Sequence, residues 1–177
     1  DVLAMQYANE GLRTVKDKQV KRIYSADLNS VPNYFNIGLE KSDSSLLGDE
    51  ALYIHEDEAN KYELEIGSFI SVEFMDQTQM DLVVAGIFTS KSVIDSGWLL
   101  DSSVYSSNLN LAPQTDDFVG VLIKDGIDEA QARAALENVL VDYEQVRAQT
   151  KDEVKDEAEN QINQTVTIVS VLLFISV

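Results

Sequence analysis

The sequence predicts an α+β fold: βαβ-type units sharing a mixed sheet, followed by a long helix leading into a membrane. Three observations predict it. Ile70, Val72 and Phe74 alternate with Ser71 and Glu73, the two-residue period of a strand with one buried face. Leu82 to Phe88 and Phe118 to Ile123 are apolar almost throughout, and the first of these reads as a central strand covered on both faces. Ala132, Ala135, Leu136, Val139 and Leu140 then recur at helical spacing, and from Gln161 to Val177 the chain carries no charge at all.

Taken in order, residues 1–16 place Val2, Leu3, Met5, Ala8, Leu12 and Val15 at a partly helical spacing. They read as the end of a helix that enters from a membrane upstream. Lys16 to Lys21, followed by Arg22, is the only basic cluster and marks a loop-to-strand transition, with Val20 to Tyr24 as the strand. Ser30 is expected to cap a short apolar helix, with Pro32 two residues on, in the first turn where proline is tolerated. Glu40 to Asp49 reads as a polar surface loop. Leu52 to Ile54 is a short strand, and Glu56 to Leu64 a short acidic helix with Ala59 in mid-turn. Gly67 turns the chain into the alternating strand, and Asp76 to Gln79 turns it again into Leu82–Phe88. Trp98 to Leu100 is a further strand, with Asp101 capping a helical turn after it.

Asp125-Gly126 closes the Phe118–Ile123 strand, and Asp128 caps the clearest helix, with Gln131 completing a capping-box pattern. A short extended piece near Val146 would return to make a second βαβ-like unit. Thr150 and Glu153 are another capping-box pair, and no glycine or proline interrupts the chain after them. The first turns are charged up to Glu159, and Asn163 lies where charge vanishes. At the helical rise, Lys151 to Val177 would reach about 40 Å. One continuous helix is expected, solvated at its start and lipid-embedded at its end. Residues 1–160 would then form one α+β domain, or two small lobes sharing a core. Residues 161–177 would be the first part of a transmembrane helix, cut short by the end of the chain.

The stretch 51–88 carries a resemblance. Its signature is a short strand, a helix with Ala59 in mid-turn, Leu64, Ile66-Gly67, the strand through Val72, a polar hairpin, then Val83-Val84 and Gly86-Ile87-Phe88. This resembles the extracytoplasmic, MacB-like periplasmic core domain of FtsX/MacB-like ABC-transporter permeases. The family often has Asp-Gly where this chain has Gln77-Thr78, and usually Asp where it has Ser68. The likeness extends, more weakly, over residues 19–177.

The resemblance implies a bacterial cell-membrane protein whose soluble part lies on the extracytoplasmic side. It implies a cytoplasmic ABC ATPase as partner, which binds the ATP, so that this chain needs no cofactor of its own. It further implies a second permease copy or half, and an envelope protein or lipid-linked substrate. ATP hydrolysis would be coupled to export, lipoprotein release or control of an envelope partner. Thr150, Glu153, Glu159 and Asn163 would lie on the coupling helix, while Ala59, Leu64, Gly67, Val84, Gly86 and Phe88 would be structural. The alternative from another class is a membrane-anchored extracellular sensor or ligand-binding domain.

Composition narrows the function by what it excludes. The net charge of −18 leaves nothing to neutralise nucleic-acid phosphates. Without cysteine there is no disulfide, thiol nucleophile or thiolate metal site. There is no P-loop and no Gly-x-Ser-x-Gly elbow. The single histidine, His55, stands at a strand-to-helix junction and reads as a polar residue entering a helix. Asp152/Asp156 and Glu153/Glu157 lack the spacing of a calcium loop and read as a solvated face. No enzyme activity and no metal are expected.

Overall fold

The computed structural model describes residues 1–89, 97–104, 116–150, 152–154 and 156–157, without the side chains of 8–11. The chain divides into two compact units, Asp1–Leu122 and Ile123–Val177.

The first unit is a mixed sheet that curls until it meets itself. Its strands are β1 (Val2–Thr14), β2 (Val20–Ala26), β3 (Leu39–Ser42), β4 (Ala51–His55), β5 (Phe69–Phe74), β6 (Gln79–Phe88), β7 (Trp98–Asp101) and β8 (Phe118–Val121). They run in the order β2-β7-β4-β6-β5-β1, and β1 pairs back to β2, so six strands close a ring. β8 adds to the start of β1, and β3 to the end of β6. Two pairings are parallel, β2 with β7 and β4 with β6; the others are antiparallel. The helix α1 spans Val31–Tyr34, and α2, Glu56–Tyr62, lies between β4 and β5. Thus β4, α2 and β6 form the expected crossover unit, with β5 folded against β6 as a hairpin.

Alternation decides which side chains go inside. All six ring strands send residues to one cluster, including Leu12, Ile23, Ile54, Val72, Leu82 and Trp98. The opposite parity of β4, β6 and β7, notably Tyr53, Ala85, Phe88 and Leu99, packs outside the ring with Leu28, Val31 and Tyr34. β6 is therefore covered on both faces, as its apolar run requires. Each large apolar side chain so buried contributes about 1.5–3 kcal/mol.

Several expectations are corrected. Residues 1–16 are not a helix: Val2–Thr14 is a strand. Leu3, Met5, Leu12 and Thr14 are buried, and the chain pairs in turn with β8, β2 and β5, so sheet closure overrides the local spacing. Ser30 does occupy the N-cap position of α1, but it makes no side-chain capping bond: its backbone is already helical and its hydroxyl donates to Asp27 Oδ2 at 2.6 Å. Asp27 supplies the acceptor, taking the Asn29 N–H as well at 3.0 Å. The polar segment Glu40 to Asp49 holds β3, paired with β6, and a 3-10 turn, Ser44–Leu46, capped by Asp43. The strand within the apolar run Phe118–Ile123 is only Phe118–Val121, and it is not a core strand: Val119 and Val121 remain 50% and 42% exposed.

The second unit contains α3 (Glu129–Leu140) and helical residues at 152–154 and 156–157. No strand returns near Val146; the chain turns at 141–145, with Tyr143 N–H donating to Leu140 O and Val146 N–H to Tyr143 O. The second βαβ unit is therefore absent among the described residues. Nor are residues of the expected stripe buried on α3, where Val139 is 69% exposed. Among the described residues no helix is long and apolar enough to cross a membrane; the expected span, 161–177, lies outside them.

Candidate functional site

The residues of the 51–88 signature converge on the junction between α2 and β6. His55 caps α2, its Nδ1 accepting the Asp57 N–H at 3.2 Å. Glu56, Asp57 and Glu58 fill the first turn, where carboxylates favour the helix dipole. Ala59 is buried against the interior cluster. Glu63 ends the helix in the left-handed region, so that Leu64 N–H donates to Ala59 O at 2.9 Å and Leu64 packs on the same cluster. Gly67 follows at φ +83°, a conformation that glycine adopts without strain, and its N–H donates to Val84 O. Ser68 Oγ accepts the Glu65 N–H at 2.9 Å, which is chemistry an aspartate there would supply equally.

At Ala85 the β4–β6 register slips by one residue, a β-bulge that turns Ala85, Gly86 and Phe88 toward the outer cluster. A Cβ on Gly86 would lie 2.6 Å from the Tyr53 ring and 2.9 Å from Leu39, so only glycine fits. Phe88 meets the His55 ring edge-on at 5.3 Å.

His55 is fully buried, with Nδ1 turned to the α2 backbone and Nε2 3.4 Å from Thr89 O. That arrangement matches a polar residue entering a helix. Among the described residues no group of three His, Asp or Glu side chains is placed to hold a metal ion.

Sequence reasoning missed the polar fastening of α2. Lys21 belongs to the basic cluster at the loop-to-strand transition, yet its side chain is 8% exposed and its Nζ sits 2.5 Å from Glu58 Oε2. The Tyr62 and Trp98 rings lie 4.9 Å and 5.8 Å from the same ammonium, and Trp98 Nε1 donates to Glu58. Burial works to lower the Lys21 pKa, but the bonds to Glu58 and Tyr62 outweigh it and the ammonium is favoured. The signal was present: Lys21 shares the strand parity of Ile23.

The second unit holds the described part of the expected coupling helix. Thr150 and Glu153 exchange both capping-box bonds, Thr150 N–H to Glu153 Oε2 at 2.8 Å and Glu153 N–H to Thr150 Oγ1 at 3.1 Å. Asp128 caps α3 by accepting from Ala130 and Gln131 N–H. Arg133 on α3 then reaches Glu153 Oε1 at 2.7 Å and Glu137 Oε1 at 2.9 Å. Arg133 first, and then the Thr150 N–H, pull the Glu153 pKa down; Glu153 in turn, then Glu137, push the Arg133 pKa up. Beside this pair runs an open groove of about 510 Å³, lined by Leu140, Val146, Ala148 and the charged residues themselves. Glu159 and Asn163 lie outside the described residues.

No family model matches the sequence, and no curated protein matches it. Solved structures share its fold. The periplasmic region of MacB from Actinobacillus actinomycetemcomitans superposes with a TM-score of 0.63 at 14% identity, covering 90% of this chain and 76% of that one. A domain of a protein assigned as a permease in Porphyromonas gingivalis gives 0.54 at 15% identity, covering 82% and 70%. The extracellular domain of the ABC-type transporter YknZ from Gram-positive bacteria gives 0.53 at 13%, covering 76% and 68%. The chain has the fold of the periplasmic and extracellular domains of such transporter permeases.

Proposed function

We propose that this chain is the extracytoplasmic domain of an FtsX/MacB-like ABC-transporter permease subunit. The soluble part stands outside the bacterial cell membrane. A cytoplasmic ATPase binds and hydrolyses ATP, and a second permease copy or half completes the transporter. The domain's role is mechanical and recognitional, with no bond chemistry of its own. It passes motion to export, to lipoprotein release or to an envelope partner, which is a protein or a lipid-linked substrate. The observation that carries this reading is the closed mixed sheet with its α2–β6 junction, the fold shared with the periplasmic region of MacB.

The helix that begins at the Thr150–Glu153 box is the coupling element in this reading. From there to Val177 the sequence has neither glycine nor proline. Proline at 159 removes a backbone hydrogen bond and clashes with the preceding turn, a local cost of about 3 kcal/mol. Glu159→Pro is expected to abolish export or partner activation while the outer domain keeps its thermal transition and the complex keeps its ATPase. Glu159→Ala is expected to behave as wild type. If both variants retain activity, the helix is not the coupling element and a simple tether or an anchored sensor takes its place.

A further inference from the structure

With 31 acidic residues against 13 basic ones, carboxylates outnumber cations more than two to one. Arg133 meets two of them. Its Nε is bound to Glu137 on its own helix, and its Nη1 to Glu153, 20 residues further along. Its Nη2 stands 3.5 Å from Ala148 O. One planar guanidinium therefore touches α3, the segment before Thr150, and the first turn of the helix after it.

Glu153 is engaged through both oxygens. Oε1 takes Arg133 and Oε2 takes the Thr150 N–H. The capping box by itself fixes only where the helix begins; it does not fix where the helix points. Beside the pair, the groove between α3 and residues 146–149 is open.

We infer that Arg133 is the positioning residue for the helix that starts at Thr150, setting its direction relative to α3 through Glu153. The inference deepens the coupling reading above and rests on it for its consequence. A rigid fork bound at two carboxylates defines an orientation, which a single point charge on a flexible stem does not. The side chains of Arg133 and Glu153 are 41% and 42% exposed. A pair so placed adds little to stability, so its loss should change direction and leave melting nearly unchanged.

The chain has no cysteine, so Asn138→Cys and Asp156→Cys introduce a unique pair for spin labels, one on α3 and one on the helix. Label-to-label distance distributions are measured by pulsed electron resonance on the full chain. A narrow distribution is expected in the parent. Arg133→Ala should broaden it at least twofold, and Arg133→Lys should restore it only in part. Glu153→Gln should broaden it too, yet keep slow hydrogen exchange at the Thr150 amide, because glutamine at that position still closes the box. If Arg133→Ala disturbs folding of the unit, the comparison of Glu153→Gln with Arg133→Lys decides. An unchanged distribution in Arg133→Ala, or in Glu153→Gln, overturns the proposal whatever happens to export. A broadened distribution with unchanged export upholds the role of Arg133 and defeats the coupling reading instead.

Discussion

At Glu73, on β5, one nearly buried carboxylate gathers two cations and an amide. Arg13, directly opposite on β1, donates to Oε1 through Nε at 2.7 Å, while Lys18 and Gln79 reach Oε2 at 3.1 Å and 3.2 Å. The Arg13 bond first, then Lys18 and Gln79, hold the Glu73 pKa down at about 2. A depressed carboxylate pKa stabilises the fold fully above its ordinary range and loses that contribution as pH falls toward the folded value. Glu73→Gln is therefore expected to be less stable than wild type at pH 7. The gap should narrow as pH falls from about 4.5 toward 2, as denaturant unfolding at a series of pH values would reveal. A gap independent of pH would mean that the pair contributes packing and no charge.

At the scale of elements, the bulge in β6 explains two residues of the 51–88 signature together. Phe88 reaches the outer cluster because the register slips at Ala85, and the same slip turns Gly86 onto Tyr53. Gly86→Ala is expected to destabilise the first unit by about 1–3 kcal/mol, the scale of overpacking a filled core. Shortening the partner in Gly86→Ala/Tyr53→Leu should recover part of that loss, since Leu lacks the ring atoms that the new methyl meets. Thermal unfolding of the two variants checks this, and a fully additive double variant would refute the contact. The helix α3 behaves differently. Its capping by Asp128 is local and forms as the spacing implies, but its apolar stripe finds no core among the described residues.

For the whole molecule, ring closure by β1 is the decisive event. The strand spends one stretch on β8, another on β2 and its last residues on β5. A continuous edge is thereby removed, which limits edge-to-edge association of a sheet. The proposed placement outside the cytoplasm has a direct check. Ser44 is exposed at the start of the 3-10 turn, and no native cysteine competes with it. Ser44→Cys is expected to react with a membrane-impermeant thiol reagent in intact cells. Labelling only after lysis would place the domain on the cytoplasmic side.

The sequence by itself determined what depends on neighbours along the chain. The two-residue period of β5, the apolar run of β6, the caps at Asp128, Asp101 and Thr150, and the left-handed turn at Gly67 are all local, and all formed as read. The 51–88 signature also pointed to the right fold, because its residues pack against one another within a short span. Tertiary structure decided the rest. Residues 1–16 became a strand because three partners distant in sequence supply its hydrogen bonds. Lys21 left the basic cluster because Glu58, Tyr62 and Trp98, spread over much of the first unit, enclose it. Phe118–Val121 became a half-exposed strand because it pairs only with the start of β1 and packs one face on the outer cluster, Phe118 against Phe35. Arg133 met Glu153 only once the turns at 141–145 and the segment after them brought it back to α3. Spacing along a chain encodes which face a residue takes; it does not encode which distant group will meet that face.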